Sequence, residues 1–408
     1  MTVRQSLREL PPTAWVLFAG TFVNRFGSFV IVFLVLYLRD EGFSTPQAGL
    51  AVSAYGVGGL AASLVGGQLA DRLGRRDAIA LSMFASAAAM LALSQAHTLP
   101  TILVLAALAG LAAEAYRPAS AALLTDLTTE GDRVTAFAMY RLAINLGFTA
   151  GPAAAGFLAE WSFTWLFVGD AVTSVVYGVV ALVAFPHGQR VSRHEERRGE
   201  ALRTIVGDRA FLVFLAASTA GAFVYMQQSA TFPIAVQDAG LSLALYGALV
   251  SLNGIVIVLV ELPLTGVTRR FPPRPVIALG FLLVGVGFAL MGLAETALAF
   301  AVTVAIWTLG EIVNAPVASA YVADLSPERL RGRYQGAWSF TWGLGLVLGP
   351  TVGTALYAWR PAALWLACLA FGALAAGLMV LGPGRGGGRA PPPPAARGAR
   401  PPGGPPPR

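Results

Sequence analysis

The chain has 408 residues, of which 56% are hydrophobic and only 12% are charged, with a formal net charge of +7. Every positive side chain is arginine, because the sequence contains no lysine. Such an apolar composition excludes an ordinary soluble domain and indicates a polytopic membrane protein. The arginines cluster between apolar runs, which argues against nucleic-acid binding. One cysteine, Cys368, excludes an intramolecular disulfide, and three separated histidines predict no metal site.

Twelve apolar spans of about 20 residues follow one another, each long enough to cross a bilayer. The first is interpreted as a retained helix, because it is too long for a signal peptide and lacks a small-residue cleavage site. Arginine is enriched in the loops that follow even-numbered spans, so both termini are predicted to be cytoplasmic. The spans lie near 13–38, 46–70, 77–96, 99–122, 134–158, 164–186, 210–233, 244–268, 275–294, 297–322, 333–357 and 361–382.

The first span carries a polar stripe in the middle of the membrane. Thr21, Asn24, Arg25 and Ser28 follow the i, i+3, i+4, i+7 spacing of one helix face. An arginine at this depth must face water or an acid. Asn24, Arg25 and Ser28 are therefore predicted to line a substrate cavity, and a structural ion pair between Arg25 and a neighbouring helix is the alternative.

The turn between the second and third spans reads Gly-Gln-Leu-Ala-Asp-Arg-Leu-Gly-Arg-Arg from Gly67 to Arg76. Gly67 is predicted to let two helices approach closely, and Gly74 to adopt a backbone angle that other residues resist. Asp71 is placed to accept hydrogen bonds from a neighbouring helix end. The remaining charged residues of the turn, which mark the cytoplasmic side, are Arg72, Arg75 and Arg76.

This turn resembles the loop between helices 2 and 3 of the major facilitator superfamily, and the resemblance extends over residues 13–382. It implies an all-α membrane protein with twelve transmembrane helices in two six-helix bundles, acting as a secondary transporter. It also implies that Asp71 contacts the eleventh span in the outward-open state. Two departures are evident: Ala106 stands where many members carry an arginine, and the first span has Asn24-Arg25 instead of a carboxylate.

Charged residues inside the middle spans are the candidates for proton coupling, since such residues are costly in a membrane. They are Glu114, Arg117, Arg141, Asp170 and Glu311. Glu114 is favoured, because Arg117 lies one turn away and Arg141 lies at a similar depth, so arginines would hold it ionised in one state only. A permanent Glu114–Arg117 ion pair is the alternative. Asp170 and Glu311 are competitors without an evident arginine.

The fifth span contains Gly147, Gly151-Pro152 and Gly156, a spacing that makes a flat groove next to a proline kink. It resembles the helix-5 motif of drug:proton antiporters. A purely structural role stays open, because the eleventh span repeats the pattern. Further polar or aromatic residues predicted to line the cavity, with helix packing as the alternative, are Asn145, Tyr225, Gln228, Trp307 and Asn314.

The chain also repeats itself after 198 residues. This shift aligns Pro118 with Pro316, Gly151-Pro152 with Gly349-Pro350, and Trp161 with Trp359. Two bundles in the same orientation are therefore predicted at 1–186 and 210–382. Residues 187–209 would form a cytoplasmic linker, and 383–408 a disordered Gly/Pro/Arg-rich tail.

The sequence thus predicts a secondary transporter in a bacterial cytoplasmic membrane, exporting hydrophobic or cationic small molecules such as drugs in exchange for protons. No Walker-type loop is present in the sequence, so ATP is not the direct energy source. We expect a monomer in the lipid bilayer, with no cofactor, metal or nucleic acid and no enzymatic activity. The alternatives are a superfamily transporter for a specific metabolite, such as a sugar or amino acid, and a non-transporting membrane sensor.

Overall fold

The structure is a computed structural model that describes Leu7 and residues 9–129, 132–187, 204–327 and 330–383. Within these ranges the chain is helical, without a strand. Most of the predicted linker 187–209 and nearly all of the predicted tail 383–408 lie outside the described residues.

Twelve long helices, two of them broken, follow one another in the described ranges. In the first half α1 has two segments, and the bounds are Pro12–Phe26 and Phe29–Asp40 for α1, Thr45–Leu73 for α2, Arg75–Leu93 for α3, Leu99–Leu127 for α4, Arg133–Trp161 for α5 and Thr164–Ala184 for α6. In the second half α7 has three segments, and the bounds are Arg209–Tyr225, Gln227–Ala230 and Phe232–Asp238 for α7, Leu243–Thr268 for α8, Pro273–Leu290 for α9, Ala297–Leu325 for α10, Arg331–Trp359 for α11 and Pro361–Leu381 for α12.

Ten of these helices are long and apolar enough to cross a membrane, judged over the described residues. An eleventh, α2, is bent by 45° between Thr45–Ser63 and Val65–Leu73, and qualifies when these two parts are taken as one span. The α11 helix spans 29 residues but is not among those that qualify, and its first turns carry Arg331, Arg333 and Gln335. Apolar length alone therefore supports ten or eleven of the twelve predicted spans.

The first span is interrupted at Gly27 and Ser28. The Ser28 hydroxyl donates to the carbonyl oxygen of Asn24 at 3.1 Å, so a side chain at the break provides a hydrogen bond to a carbonyl group of the preceding turn. Helix α6 packs directly against it, because a Cβ at Gly27 would overlap the side chain of Thr173. The break divides the predicted polar stripe: Thr21 turns to Tyr177 of α6, whereas Ser28 turns to the centre of the molecule.

The two halves meet through the helix pairs α2–α11 and α5–α8. A Cβ at Gly49 in α2 would overlap the backbone of Pro350 in α11, and a Cβ at Gly247 in α8 would overlap the backbone of Pro152 in α5. Both glycines and both prolines are related by the 198-residue repeat. The interface therefore includes two equivalent close contacts between backbones.

Both helix pairs diverge towards the end of the molecule that carries the turn from Gly67 to Arg76, which we call the arginine end. A Cβ at Gly67 in α2, at Gly336 in α11 or at Gly266 in α8 would meet no atom within 4 Å. The predicted close helix approach at Gly67 is therefore wrong for this conformation. In α2 it is Gly66 that lies against a neighbour, the backbone of Ala115.

Candidate functional site

A central cavity of about 390 Å³ lies between the two halves. Its walls come from α1, α2, α4 and α5 on one side and from α7, α8, α10 and α11 on the other. A second chamber of about 710 Å³ adjoins it between α2, α4 and α11, and shares Tyr55, Glu114, Met226 and Leu346 with it. Because this chamber lies where α2 and α11 diverge, the cavity communicates with the arginine end.

A charged triad lies on the side of the first half: Arg25 and Glu114 line the central cavity, and Arg117 lines the adjoining chamber. Each carboxylate oxygen of Glu114 accepts from a different guanidinium, at 2.9 Å from Nη1 of Arg25 and 2.9 Å from Nη1 of Arg117. The Arg25 side chain is 7% exposed, that of Glu114 is 20% exposed and that of Arg117 is 57% exposed. The triad thus runs from a buried arginine to an accessible one and carries one net positive charge.

Arg25 is fixed by aromatic rings and by the glycines of α5. Its guanidinium carbon lies 5.3 Å from the ring centre of Tyr116 and 5.4 Å from that of Phe148. A Cβ at Gly147 would overlap Cβ of Arg25, so this glycine makes room for the arginine. These contacts hold the cation at a favourable distance from two π faces.

The Gly-Pro motif of α5 contacts two different partners. Gly147 and Gly151 lie against the backbone of α1 within the first half, whereas Gly156 lies against Ala244 at the start of α8 in the second half. Pro152 faces the same helix through its carbonyl group, next to Gly247. The motif therefore joins helices within one half and across the interface.

The wall from the second half contains Glu311, which has only neutral hydrogen-bond partners among the described residues. The Tyr225 hydroxyl donates to its Oε1 at 3.2 Å, and Nδ2 of Asn253 donates to its Oε2 at 3.1 Å. The Tyr225 ring in turn packs edge-on against Trp307 at 5.9 Å and Trp342 at 5.3 Å. The carboxyl group of Glu311 therefore accepts hydrogen bonds from neutral donors and lies next to a cluster of aromatic rings.

Two charged candidates lie elsewhere than the sequence suggested. Arg141 does not approach Glu114: its Nη2 is 4.0 Å from Oε1 of Glu261 in α8, because α5 turns this residue towards the interface with the second half. Asp170 is buried outside the cavity, beside the break in α1, where the backbone N–H of Val30 donates to its carboxyl group.

Five of the predicted cavity residues line its wall, and three do not. Arg25, Ser28, Asn145, Tyr225 and Gln228 are in the wall. Asn24 is turned away towards Sδ of Met83, at 3.3 Å from its Nδ2. Trp307 is fully buried behind Tyr225, and Asn314 faces the backbone of α9, so both support the wall without lining it.

The polar wall residues that sequence reasoning missed include Tyr55 of α2 and Asn253 of α8. Asn253 could have been found, because it is an amide inside an otherwise apolar run. Tyr55 gave no such signal, since tyrosine is common in helix interfaces.

The turn after α2 has one special backbone position and one exposed carboxylate. Gly74 has φ +90°, which only glycine adopts without strain. Arg75 forms an ion pair with Asp126 at the end of α4, 2.6 Å from Nε to Oδ2. Asp71 is exposed and has no hydrogen-bond partner within the part of the chain that the structure describes, so the predicted contact with a helix end is absent in this conformation.

The end of the molecule opposite the arginine end is closed by contacts between the halves. Nη2 of Arg39 in the first half lies 3.1 Å from Oδ1 of Asp238 in the second. Within the second half, the Tyr357 hydroxyl donates to Oδ2 of the same aspartate at 3.0 Å and so holds this carboxylate in place. The carboxylate of Glu160 at the end of α5 accepts from the backbone N–H of Ala244, in the first turn of α8, at 3.2 Å. The cavity is therefore closed at this end and open at the other.

Comparison with known proteins agrees with this architecture. A sequence profile described as Major Facilitator Superfamily matches residues 17–246 and 219–406. The chain is 31% identical over 355 residues to the uncharacterized MFS-type transporter YqjV of Bacillus subtilis (strain 168), covering 85% of this chain and 86% of that protein. It is 26% identical over 375 residues to a Na(+), Li(+), K(+)/H(+) antiporter of Planococcus maritimus, covering 83% and 87% respectively.

Among solved structures, that of the nucleoside transporter NupG superimposes with a TM-score of 0.76 at 16% identity, over 90% of this chain and 98% of that one. At this identity the likeness concerns the fold alone. The chain belongs to the Major Facilitator Superfamily and is a multi-pass membrane transporter, not an enzyme.

Proposed function

We propose that this transporter exports hydrophobic or cationic small molecules in exchange for protons, by alternating access of the central cavity. The observation that carries the proposal is Glu311, a carboxyl group in the cavity wall whose hydrogen-bond partners, Tyr225 and Asn253, are both neutral. Burial disfavours an ionised carboxylate unless a cation compensates it. Either a proton or a cationic solute removes this charge, so the two would compete for Glu311 and exchange.

Glu114 is less suited to carry the proton, although the sequence favoured it. Two guanidinium groups, of Arg25 and Arg117, already neutralise it at 2.9 Å each. A proton arriving at Glu114 would have to displace both ion pairs. Glu311 has no such competitor among the described residues, because the nearby Glu261 has the same charge and faces Arg141.

The closed and open ends give the direction of access. The positive-inside rule places the arginine end in the cytoplasm, together with both termini. The cavity then faces the cytoplasm, and the exposed Asp71 would engage α11 only when the arginine end closes. The two bundles, 1–186 and 210–382 with the linker 187–209 and the tail 383–408, would rock about the α2–α11 and α5–α8 contacts. We place one such monomer of twelve spans in a bacterial cytoplasmic membrane.

The test is transport by the purified protein in proteoliposomes, with ethidium as the hydrophobic cation and an imposed pH gradient. We expect gradient-driven ethidium flux that a protonophore abolishes. Glu311→Gln should lose the response to the gradient but retain exchange of ethidium at equal pH, whereas Arg270→Gln, at the exposed end of α8, should behave as wild type. Ethidium flux that is independent of the gradient would contradict proton coupling, and no flux of any solute would favour a sensor.

Exchange of alkali cations for protons is the second candidate function, supported by the relative from Planococcus maritimus. The same proteoliposomes, loaded with a pH-sensitive dye, distinguish the two. Addition of Na⁺ or K⁺ without ethidium would move protons only if the chain accepts an alkali cation.

A further inference from the structure

The two walls of the cavity carry opposite net charges. On the first-half wall, two arginines and one glutamate leave a single positive charge on the Arg25–Glu114–Arg117 triad. On the second-half wall, an ionised Glu311 would be uncompensated, since Tyr225 and Asn253 are neutral. The remaining charged pair near this wall, Arg141 and Glu261, cancels itself.

The positive wall has guanidinium N–H groups that make no hydrogen bond to the described residues. The Arg117 side chain is 57% exposed and lines the chamber towards the arginine end, with Nη1 as its contact to Glu114. Nε of Arg25 has no hydrogen-bond partner within the described ranges, but it is buried, so Arg117 offers the accessible donors of this wall. A planar guanidinium with free N–H groups binds carboxylate and similar anions in two-point contacts. An anionic group entering from the arginine end therefore meets Arg117 first.

The negative wall suits an organic cation. Glu311 lies beside the Tyr225 ring, which is itself packed between Trp307 and Trp342. A protonated amine at this position would contact a carboxylate and an aromatic surface together, and both attract cations. Between the two walls the cavity offers an apolar surface from Phe148, Met226 and Leu346.

We propose that the preferred substrate is amphoteric: a compact amphiphile with an anionic group that binds Arg117, and a protonated amine that binds Glu311. This rests on the proposed function and narrows its class of hydrophobic or cationic solutes. A simple cation would leave the positive triad uncompensated when the cavity closes, and a simple anion would leave Glu311 uncompensated. Only a solute with both charges compensates the charge on each wall. An uncompensated charge is costly once the closed cavity excludes water. A solute that reaches from Arg117 to Glu311 would occupy the cavity of about 390 Å³ and part of the adjoining chamber of about 710 Å³, which together leave room for a drug-sized molecule.

The experiment measures equilibrium binding to the full-length purified protein by isothermal titration, so that it does not depend on proton coupling. The probes are an aminomethyl-biphenylcarboxylic acid, its methyl ester, which keeps only the positive charge, and its N-acetyl derivative, which keeps only the negative one. We expect the amino acid to bind at least about tenfold more tightly than either derivative, the scale of one charge-assisted contact.

Two variants assign each charge to its wall. Arg117→Gln should reduce binding of the amino acid to the level of the ester and leave ester binding unchanged. Glu311→Gln should reduce it to the level of the N-acetyl derivative and leave binding of that derivative unchanged. Arg270→Gln, with the same change of charge outside the cavity, should alter none of the three affinities.

Equal binding of the amino acid and its ester would overturn the proposal, as would equal losses for all three probes in either variant. If none of the three probes binds while wild-type protein still carries ethidium along the pH gradient, the amphoteric preference is wrong and the transport function stands. Failure of the transport function has a different signature, namely the absence of ethidium flux in wild-type proteoliposomes.

Discussion

The Ser251 hydroxyl oxygen in α8 accepts a hydrogen bond at 3.0 Å from the backbone N–H of Ala153 in α5, the residue that follows Pro152. The 198-residue repeat produces the same contact a second time: Ser53 in α2 accepts at 3.1 Å from the N–H of Thr351, which follows Pro350. A proline inside a helix loosens the hydrogen bonds around it. In both pairs a serine from the opposite half binds an N–H group next to the kink, so each kink is fixed to the interface.

Removing either serine hydroxyl should weaken the interface between the halves. Ser251→Ala and Ser53→Ala each remove this partner from a partly buried N–H, which costs about 0.5–1.5 kcal/mol. We expect a lower thermal unfolding temperature in detergent and a changed transport rate for each variant. Ser94→Ala, which removes a local hydroxyl bond at the end of α3, is the matched control. Unfolding temperatures equal to that of the control would show that the kinks need no partner.

The close contact at Gly247 predicts a position-specific effect of one methyl group. A Cβ there would overlap the carbonyl group of Pro152, so Gly247→Ala must push α5 and α8 apart, at a cost of about 1–3 kcal/mol. Gly266→Ala in the same helix adds the methyl group to open space and should be neutral or slightly stabilising. Thermal unfolding of the two variants measures the difference. Equal unfolding temperatures would mean that α5 and α8 can move apart without loss of stability.

The ion pair between Arg39 and Asp238 should stabilise the state in which the end opposite the arginine end is closed. Both side chains are partly exposed, so the pair contributes about 0.2–1 kcal/mol to closure of that end. Arg39→Asp should increase labelling of a Ser229→Cys probe by an impermeant maleimide added from the outside, since Ser229 lines the cavity. The exchange variant Arg39→Asp with Asp238→Arg should restore protection. Unchanged labelling in the single variant would assign closure to the apolar contacts, such as Phe33 on Tyr246.

Helix positions and the repeat could be predicted from the sequence, because apolar length and the spacing of prolines and glycines are local properties. The break in α1 and the break of α7 at Met226 could not, since Gly27-Ser28 and Met226 occur commonly inside continuous helices. Asn24 and Arg25 are adjacent in sequence, yet Asn24 contacts Met83 and Arg25 lines the cavity. Which side of a helix faces water depends on its neighbours, and a polar stripe does not identify them.

Partners of charged residues were the least predictable part of the site. The sequence predicts that Arg141 lies at the same depth in the membrane as Glu114. In the structure, the orientation of α5 about its own axis directs Arg141 towards Glu261 instead. The partner that Glu114 does have, Arg25, is 89 residues away in sequence. Sequence reasoning required only that Arg25 face water or an acid, and the choice between them needed the packing of α1 against α4.

The Arg25–Glu114 pair gives the prediction that separates a structural role from a coupling role for this carboxylate. Arg25 is 7% exposed at its side chain, so Glu114→Gln leaves a buried cation with a neutral partner, and losing one member of such a pair costs about 3–5 kcal/mol. We expect Glu114→Gln to unfold at a markedly lower temperature and still to respond to the pH gradient, because the proposed mechanism assigns the proton to Glu311.

A double-mutant cycle isolates the pair. Arg25→Met should also be destabilising, since it leaves Glu114 with Arg117 as its remaining cation, but Arg25→Met combined with Glu114→Gln should cost less than the sum of the single changes. Transport by each variant is measured with and without the gradient in the same proteoliposomes. Wild-type stability together with a lost gradient response in Glu114→Gln would move the coupling role from Glu311 to Glu114, because only a group that binds the transported proton has that signature.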